Sequence, residues 1–489
     1  MENHNISKKN VAKSFIWAAI DKVSVQIISF FISVILARLL NPEDFGIIGM
    51  ITIFLLLSEV IINSGFSQAL IQKQKRTEED FSTVFVFNVL IGLIAYFILF
   101  ISAKLISDFY NTPILIDIIK MMALCFVLNS MVVVHRAKLT IKLDFKTLTI
   151  IGLISVVISG FFGIYFAYNG HGVWSLVYRS VINSVINVVL LMLVVKWKPR
   201  LLFSINSFKS LFRFSSKLLV LGVYGTILQN IYMVFIGKYF VKQDLGYYTR
   251  ARQYTDITSN LFAKVLESVT FPMLSILQSN PSESFRMYRK IMNMTFFLIL
   301  PSMTLLAVLS KPLIVIMLTE KWLPVVPLLQ WLSFAKIFTP INAINVSLLN
   351  SKGRSDLYLK SDLVMIPIVI IIILITTSLN INAMVVGIFI QSIIGYFVVA
   401  YYPSKLFNYN IYRQLRNVSP YIFASIVMAF TVFFSISFFK SYYFQLFFGI
   451  FLGLLIYYFT CYLFKVDEVD EVNSMLKKIK IKLLSYLSK

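Results

Sequence analysis

The chain has 489 residues, 58% of them hydrophobic, with 45 lysines and arginines against 22 acidic residues and a formal net charge of +23. Its mean hydropathy of +0.82 excludes a soluble globular domain. The basic excess does not mark a nucleic-acid binder, because that role needs a basic soluble domain and no stretch of the sequence would form one.

Fourteen apolar stretches, each about long enough to cross a bilayer as a helix, occupy most of the chain. They lie near 14–37, 45–68, 82–105, 113–134, 147–169, 173–195, 216–239, 245–276, 290–310, 323–348, 361–379, 382–403, 419–439 and 442–464. The first is too long for the apolar core of a signal peptide, carries Asp21 and Lys22, and lacks a small-x-small exit. No cleavable leader is therefore expected.

Lysine and arginine fall on alternate connections. Lys8, Lys9 and Lys13 precede the first span. Clusters at Lys73–Arg76, Arg136–Lys146, Lys196–Lys217, Arg286–Lys290, Lys352–Lys360 and Lys405–Arg416 follow the even-numbered ones, and six more lie from Lys465 to Lys489. Opposite junctions hold only Arg38, Lys104, Lys238, Lys242, Lys311, Lys321 and Lys440. About 31 of the 45 basic residues thus face one side and about 7 the other. By the positive-inside rule both ends lie in the cytoplasm of a bacterial inner (plasma) membrane protein. A miscounted span would scramble the alternation from that point on.

Cys125 and Cys461 lie within spans, so a disulfide framework is excluded. His4, His135 and His171 are far apart and show no metal-ligand spacing, so no metal and no cofactor is expected.

A shift of 200 residues lays one interhelical turn over another. Ala37-Arg38-Leu39-Leu40-Asn41-Pro42-Glu43-Asp44-Phe45-Gly46 matches Gly237-Lys238-Tyr239-Phe240-Val241-Lys242-Gln243-Asp244-Leu245-Gly246 as small, basic, apolar, apolar, then Asp-apolar-Gly. Aspartate can cap the next helix and glycine lets it pack closely. The offset covers six spans, an even number, so both copies sit the same way up. The expected organisation is an N-terminal six-helix lobe at 1–199, a C-terminal six-helix lobe at 200–417, two extra spans at 418–464 and a basic amphipathic tail at 465–489. In that tail Val472, Met475, Leu476, Ile479, Leu483 and Leu487 form a stripe flanked by lysines, which suits a helix lying on an anionic leaflet.

Charged side chains near the bilayer centre cost about 2.5–3.5 kcal/mol on insertion scales, so those that remain should face a cavity or a partner. The basic set is Lys22, Lys120, Arg179, Arg250, Arg252, Lys264 and Lys336; the acidic set is Asp21, Glu59, Asp117, Asp256 and Glu267. Arg252 with Asp256 and Lys264 with Glu267 are spaced to meet on one helix face. Lys120 with Asp117 reads as an ion pair, and Glu59 as a partner for Lys22. For the others two readings stand, internal ion pairs or a substrate site. Lys22, Arg179, Arg250, Arg252, Lys264 and Lys336 are the candidate substrate-binding residues. Asp21, Glu59, Asp256 and Glu267 are candidates for ion coupling or ion pairing. Tyr224, Gln229 and Asn230 either line the same cavity or bond neighbouring helices. Cations in a cavity open to lipid suit an anionic amphiphile, especially a phosphate or diphosphate headgroup; a pump for organic cations would favour unpaired acids.

No G-x-x-x-x-G-K-[ST] loop occurs, so the chain does not hydrolyse ATP itself. No external loop is large enough for the catalytic surface of a polymerase or glycosyltransferase. The acidic run Asp467, Glu468, Asp470, Glu471 is expected to lie outside the helical core and to balance the basic tail.

Arg38, Pro42, Asp44-Phe45-Gly46, Gly65, Ala69-Leu70-Ile71-Gln72, Gly172-Val173-Trp174-Ser175-Leu176, Gly246-Tyr247, Arg250-Ala251, Phe271-Pro272 and Lys321-Trp322 resemble the polysaccharide transporter family. More narrowly, the chain is similar to its Wzx-type, WzxC-like oligosaccharide flippases, across spans 1 to 14. The resemblance implies the multidrug/oligosaccharidyl-lipid/polysaccharide exporter fold: an all-α, MATE-like V of two six-helix lobes with two further helices. It also implies transfer of an undecaprenyl-diphosphate-linked oligosaccharide from inner to outer leaflet by alternating access. Its partners would be that lipid-linked substrate, membrane lipids, a polysaccharide polymerase and a chain-length regulator. In related flippases basic residues of a central cavity engage the diphosphate; Arg250 falls in a family motif, whereas Lys22, Lys264 and Lys336 rest on depth alone. The sister flippases for cell-wall precursor carry a more arginine-rich first helix, which is lacking here. The competing expectations are a multidrug antiporter of the same fold and a membrane glycan polymerase.

Overall fold

The computed structural model describes residues 8–474 except 64, 201 and 408, and the side chains of 8–23, 63, 214 and 411 are outside it. The expected tail helix at 475–489 and the side chains of Asp21 and Lys22 therefore lie beyond the described residues.

Every regular element among the described residues is a helix. In lipid no water can satisfy exposed N–H and C=O groups, and a helix pairs them within one segment. The first half runs α1 (Lys8–Leu39), α2 (Pro42–Asn63), α3 (Phe66–Gln72), α4 (Glu78–Tyr110), α5 (Leu115–Ser130), α6 (Val133–Ile141), α7 (Phe145–Tyr168), α8 (Trp174–Val195) and α9 (Ile205–Tyr239). The second runs α10 (Lys242–Ile276), α11 (Pro281–Val308), α12 (Ser310–Leu318), α13 (Val325–Lys336), α14 (Phe338–Ser351), α15 (Ser355–Thr377), α16 (Ile381–Phe407), α17 (Ile411–Ser437) and α18 (Tyr442–Leu463).

Among the described residues twelve candidate spans are long and apolar enough to cross a membrane; α5 with α6, and α13 with α14, each form one of them. The other two of the fourteen are α1, of which only Ser24–Leu39 has described side chains, and α10, whose apolar character is diluted by its charges. Large apolar side chains such as Ile101, 74% exposed, face outward, as lipid contact requires.

Polar caps stop the helices at the basic junctions. Thr77 and Asp80 form a reciprocal capping box at the start of α4, with Asp80 Oδ1 also 2.7 Å from Lys73 Nζ. Asp144 caps α7, and Asn280 with Pro281 opens α11. Each satisfies N–H groups that the first turn leaves open.

Two compact units divide the chain, 1–246 and 247–489. Inside the first, the two turns matched in sequence touch each other. A Cβ at Gly46 would collide with the carbonyl of Lys242, and a Cβ at Gly246 with the carbonyl of Pro42. Gln243 Nε2 lies 3.4 Å from Glu43 Oε2, 200 residues apart, and Lys242 Nζ lies 3.3 Å from Glu43 Oε1. The exchange is reciprocal: each glycine is the surface on which the other's turn rests.

In the second unit α11, α14, α17 and α18 share a core around Met303, Ile344, Met428 and Tyr457. Gly449 and Gly453 lie four apart on α18, and Cβ atoms there would come within 2.6 Å of Leu309 Cδ2 and 2.5 Å of Leu305 Cδ2. This small-x-x-x-small spacing brings helices close where lipid gives no hydrophobic drive to associate. α17 and α18 are thus built into the second unit.

The acidic run after α18 departs from expectation. Val466 and Val469 join the core, and Glu468, only 6% exposed, accepts a 2.5 Å hydrogen bond from Tyr421 Oη. Glu471 pairs with Lys290 at 2.6 Å. Valines spaced three apart anchor the turn and carry Glu468 inward, while Asp467 and Asp470 stay exposed.

Candidate functional site

In the first unit, Glu59 on α2 is the deep carboxylate. It lines two cavities at once. The wider, about 620 Å³, lies among α2, α3 and α9 and presents Gln68, Thr226, Gln229 and Asn230. The narrower, about 190 Å³, lies among α2, α5, α6 and α8 and presents Asn129, Arg136, Asn183, Ser184 and Asn187. Among the described residues nothing pairs with or hydrogen-bonds the Glu59 carboxylate. Its expected partner Lys22 is outside the described side chains. Gln229 and Asn230 line the cavity, and Asn230 Nδ2 also donates to Thr226 O at 2.8 Å.

Behind the narrower cavity the polar groups are wired together. Arg136 Nη2 donates to Asn187 Oδ1 at 2.8 Å, Asn187 Nδ2 reaches Ser155 Oγ at 3.5 Å, and Ser155 donates to Ile151 O at 2.8 Å. Asn183 accepts from Ser159 at 3.4 Å. Sequence reasoning assigned Arg136 to orientation alone and passed over Asn129, Asn183, Ser184 and Asn187. The four-residue spacing of Asn183 and Asn187 in an apolar span, which puts two amides on one face of α8, was the available signal.

Arg179, also on α8, is half-buried with its methylenes against Gly163 of α7, and no ion pair reaches it among the described residues.

In the second unit one carboxylate holds two cations. Asp256 on α10 lies 3.1 Å from Arg252 Nε and 2.5 Å from Lys336 Nζ. The three side chains are 17–25% exposed and carry one positive charge in excess. Lys336 ends α13, and α14 restarts at Phe338. Pro340 has no N–H to offer the carbonyl of Lys336 four residues before it, so the ladder is cut there. Ser259 Oγ of α10 fills the gap, donating to Lys336 O at 2.9 Å. A carbonyl left open at membrane depth survives only where something satisfies it. Arg250 Nη1 donates to Gln253 Oε1 at 2.5 Å.

Two expected pairs do not form. Lys264 and Glu267 are both exposed and make no ion pair among the described residues. Lys120 Nζ stands 5.0 Å over the Phe100 ring and pairs with no carboxylate among the described residues, while Asp117 points out. The ring of adjacent α4 offers a nearer negative face. Of the two readings left open for Lys336, the ion pair forms, with Asp256 on another helix.

The fold recurs in solved structures. One is titled Lipid II flippase MurJ, inward closed conformation, with a TM-score of 0.77 at 17% identity, covering 93% of this chain and 100% of that one. Another is the inward-facing conformation of a multidrug resistance MATE family transporter of the MOP superfamily, with a TM-score of 0.61 at 15% identity, covering 80% of this chain and 99% of the other. Among curated sequences, the teichuronic acid biosynthesis protein TuaB of Bacillus subtilis (strain 168) is 26% identical over 71% of this chain and 73% of its own length. The lipopolysaccharide biosynthesis protein WzxC of Escherichia coli (strain K12) is 22% identical over 70% of each chain. Residues 35–327 match the family described as "Polysaccharide biosynthesis protein". The chain is a multi-pass, all-helical membrane protein, and it belongs to the polysaccharide biosynthesis protein family.

Proposed function

We propose that the protein is a flippase for a lipid-linked polysaccharide precursor. More finely, it carries undecaprenyl-diphosphate-linked oligosaccharide repeat units from the cytoplasmic to the outer leaflet of the inner membrane. The product feeds synthesis of a surface polysaccharide, and the chain acts as a transporter, not as an enzyme. Both termini lie in the cytoplasm, a reading supported by the alternation of lysine and arginine. Repeat lobes at 1–199 and 200–417 rock by alternating access, with 418–464 as two added spans.

The observation that carries this reading is the surplus of positive charge inside apolar helices. Asp256 is outnumbered by Arg252 and Lys336, and neither Arg179 nor Lys264 has an ion pair among the described residues. A diphosphate offers charge-assisted contacts to Arg179 and Lys264, and a second anion to the Arg252–Asp256–Lys336 cluster. An exporter of organic cations would need the opposite balance. Lys22 and Arg250 belong to the same proposed set, and Asp21, Glu59, Asp256 and Glu267 to the proposed ion-coupling or pairing set.

The test is reconstitution into proteoliposomes with lipid-linked oligosaccharide in one leaflet, followed by a glycan-modifying reagent outside. Protein-dependent protection and exposure of the glycan is expected. Movement of organic cations with no movement of the lipid-linked glycan would replace this reading by a multidrug antiporter. Elongation of the glycan by the purified chain would replace it by a polymerase.

A further inference from the structure

We infer that the narrower cavity of the first unit is a glycan subsite, binding one sugar ring of the cargo through its hydroxyl groups. The inference rests on the flippase reading and names what that site recognises besides the diphosphate.

The cavity lies among α2, α5, α6 and α8, open at the exposed Glu59 and Arg136 and closed around the buried Ser184 and Asn187, and hydrogen-bonding groups toward its closed end are costly unless a polar occupant meets them. Several are unspent. Glu59 and Asn129 have no side-chain hydrogen bond among the described residues. Asn183 only accepts, at 3.4 Å from Ser159, which leaves its N–H donors for the cavity. Arg136, by contrast, is held in place through Asn187 and Ser155 to the backbone of α7. The donors and acceptors are pre-positioned, and the side facing the void is the side left open.

Their chemistry selects the occupant. A phosphate wants donors and positive charge, yet the Glu59 carboxylate lines the same space as Arg136. A metal ion wants carboxylates and carbonyls, and the guanidinium opposes it. A sugar ring offers several hydroxyls, each of which both donates and accepts. Amides, a serine hydroxyl, one carboxylate and one guanidinium match it with no net charge to neutralise. Phe126 adds an apolar wall for the ring's C–H face. The volume of about 190 Å³ equals about six waters at about 30 Å³ each, the room one pyranose ring takes. Across Glu59 the cavity of about 620 Å³ leaves space for the sugars that follow.

The experiment measures binding to the purified full-length chain in nanodiscs with two probes. One is the undecaprenyl-diphosphate-linked glycan isolated from cells in which this chain has been deleted; the other is undecaprenyl diphosphate without sugar. Asn129→Ala and Asn183→Ala should each weaken binding of the glycan-bearing lipid about tenfold, a group left unpaired being the penalty, and leave the sugarless lipid unchanged. Equal loss of both probes, or unchanged binding of the glycan-bearing lipid by the double variant, overturns the subsite. Wild-type protein binding both probes with equal affinity also overturns it while the flippase reading stands. Wild-type protein binding neither probe removes the flippase reading itself and the subsite with it.

Discussion

A single carboxylate shared by two cations is an unequal bargain, and Asp256 shows which partner depends on it. Removing Asp256 leaves Arg252 and Lys336 facing each other with no anion between them. Exposed pairs are worth about 0–1 kcal/mol, and breaking a buried pair costs about 3–5 kcal/mol. With side chains about a quarter exposed, Asp256→Asn should destabilise the protein by about 2–3 kcal/mol. Thermal unfolding in detergent checks this. The double variant Asp256→Asn with Lys336→Met should recover more than half of the loss, because the stranded charge goes with its partner; no recovery would show that the pair is not coupled. The depth of Lys336 and Asp256 was legible in the sequence because depth follows from distance along a span. Their meeting was not, because it depends on how α13 packs against α10 some 80 residues away. Glu468 hid for the same reason: a run of acids reads as solvated until the valines beside it are seen to be buried.

At the scale of elements, helices and their ends were the most legible part, since one apolar stretch of the right length admits one solution in lipid. Three breaks inside spans were less so. Gly65, at φ 72°, separates α2 from α3; Met131 and Val132 part α5 from α6; Ile337 parts α13 from α14. The similarity of the two turns was legible, but nothing in the pattern required them to touch. Their contact makes a sharp prediction. Gly46→Ala or Gly246→Ala puts a methyl group into a backbone carbonyl that no rotamer change can move aside. Each should lower stability by about 1–3 kcal/mol, the usual cost of overpacking, read as a reduced thermal midpoint and folded yield. Gly225→Ala, with nothing within 4 Å of its Cβ position, is the control and should be nearly neutral.

For the whole molecule, the sequence pattern separates a transporter from a soluble enzyme, and its charges add an energy source to the proposed cycle. A diphosphate with about two negative charges moves outward down an inside-negative potential. At about 2.3 kcal/mol per charge per 100 mV, that is roughly 4–5 kcal/mol at about 100 mV if the headgroup crosses the full field. Proteoliposomes clamped at such a potential should therefore accumulate cargo in the outer leaflet, and collapse of the potential should abolish the bias. An outer-to-inner ratio indifferent to voltage would remove the electrical drive and leave ion coupling through the acidic set as the source. The identity of the sugar was not legible at any scale, because amides on facing helices declare their common cavity only once the helices are packed.

The proline three residues into α14 reaches further than its own ring. By leaving the Lys336 carbonyl without an N–H four residues on, beside Ile337 whose dihedrals stay helical, it opens a carbonyl in the interior of a span. The carboxyl end of α13 carries partial negative charge, and partial negative charge favours a nearby cation. Lys336 sits at that end. The ammonium is thus held from two directions, by the Asp256 carboxylate and by the half-helix that carries it, so the cost of keeping a charge in oil is met partly by backbone that any side-chain substitution leaves untouched.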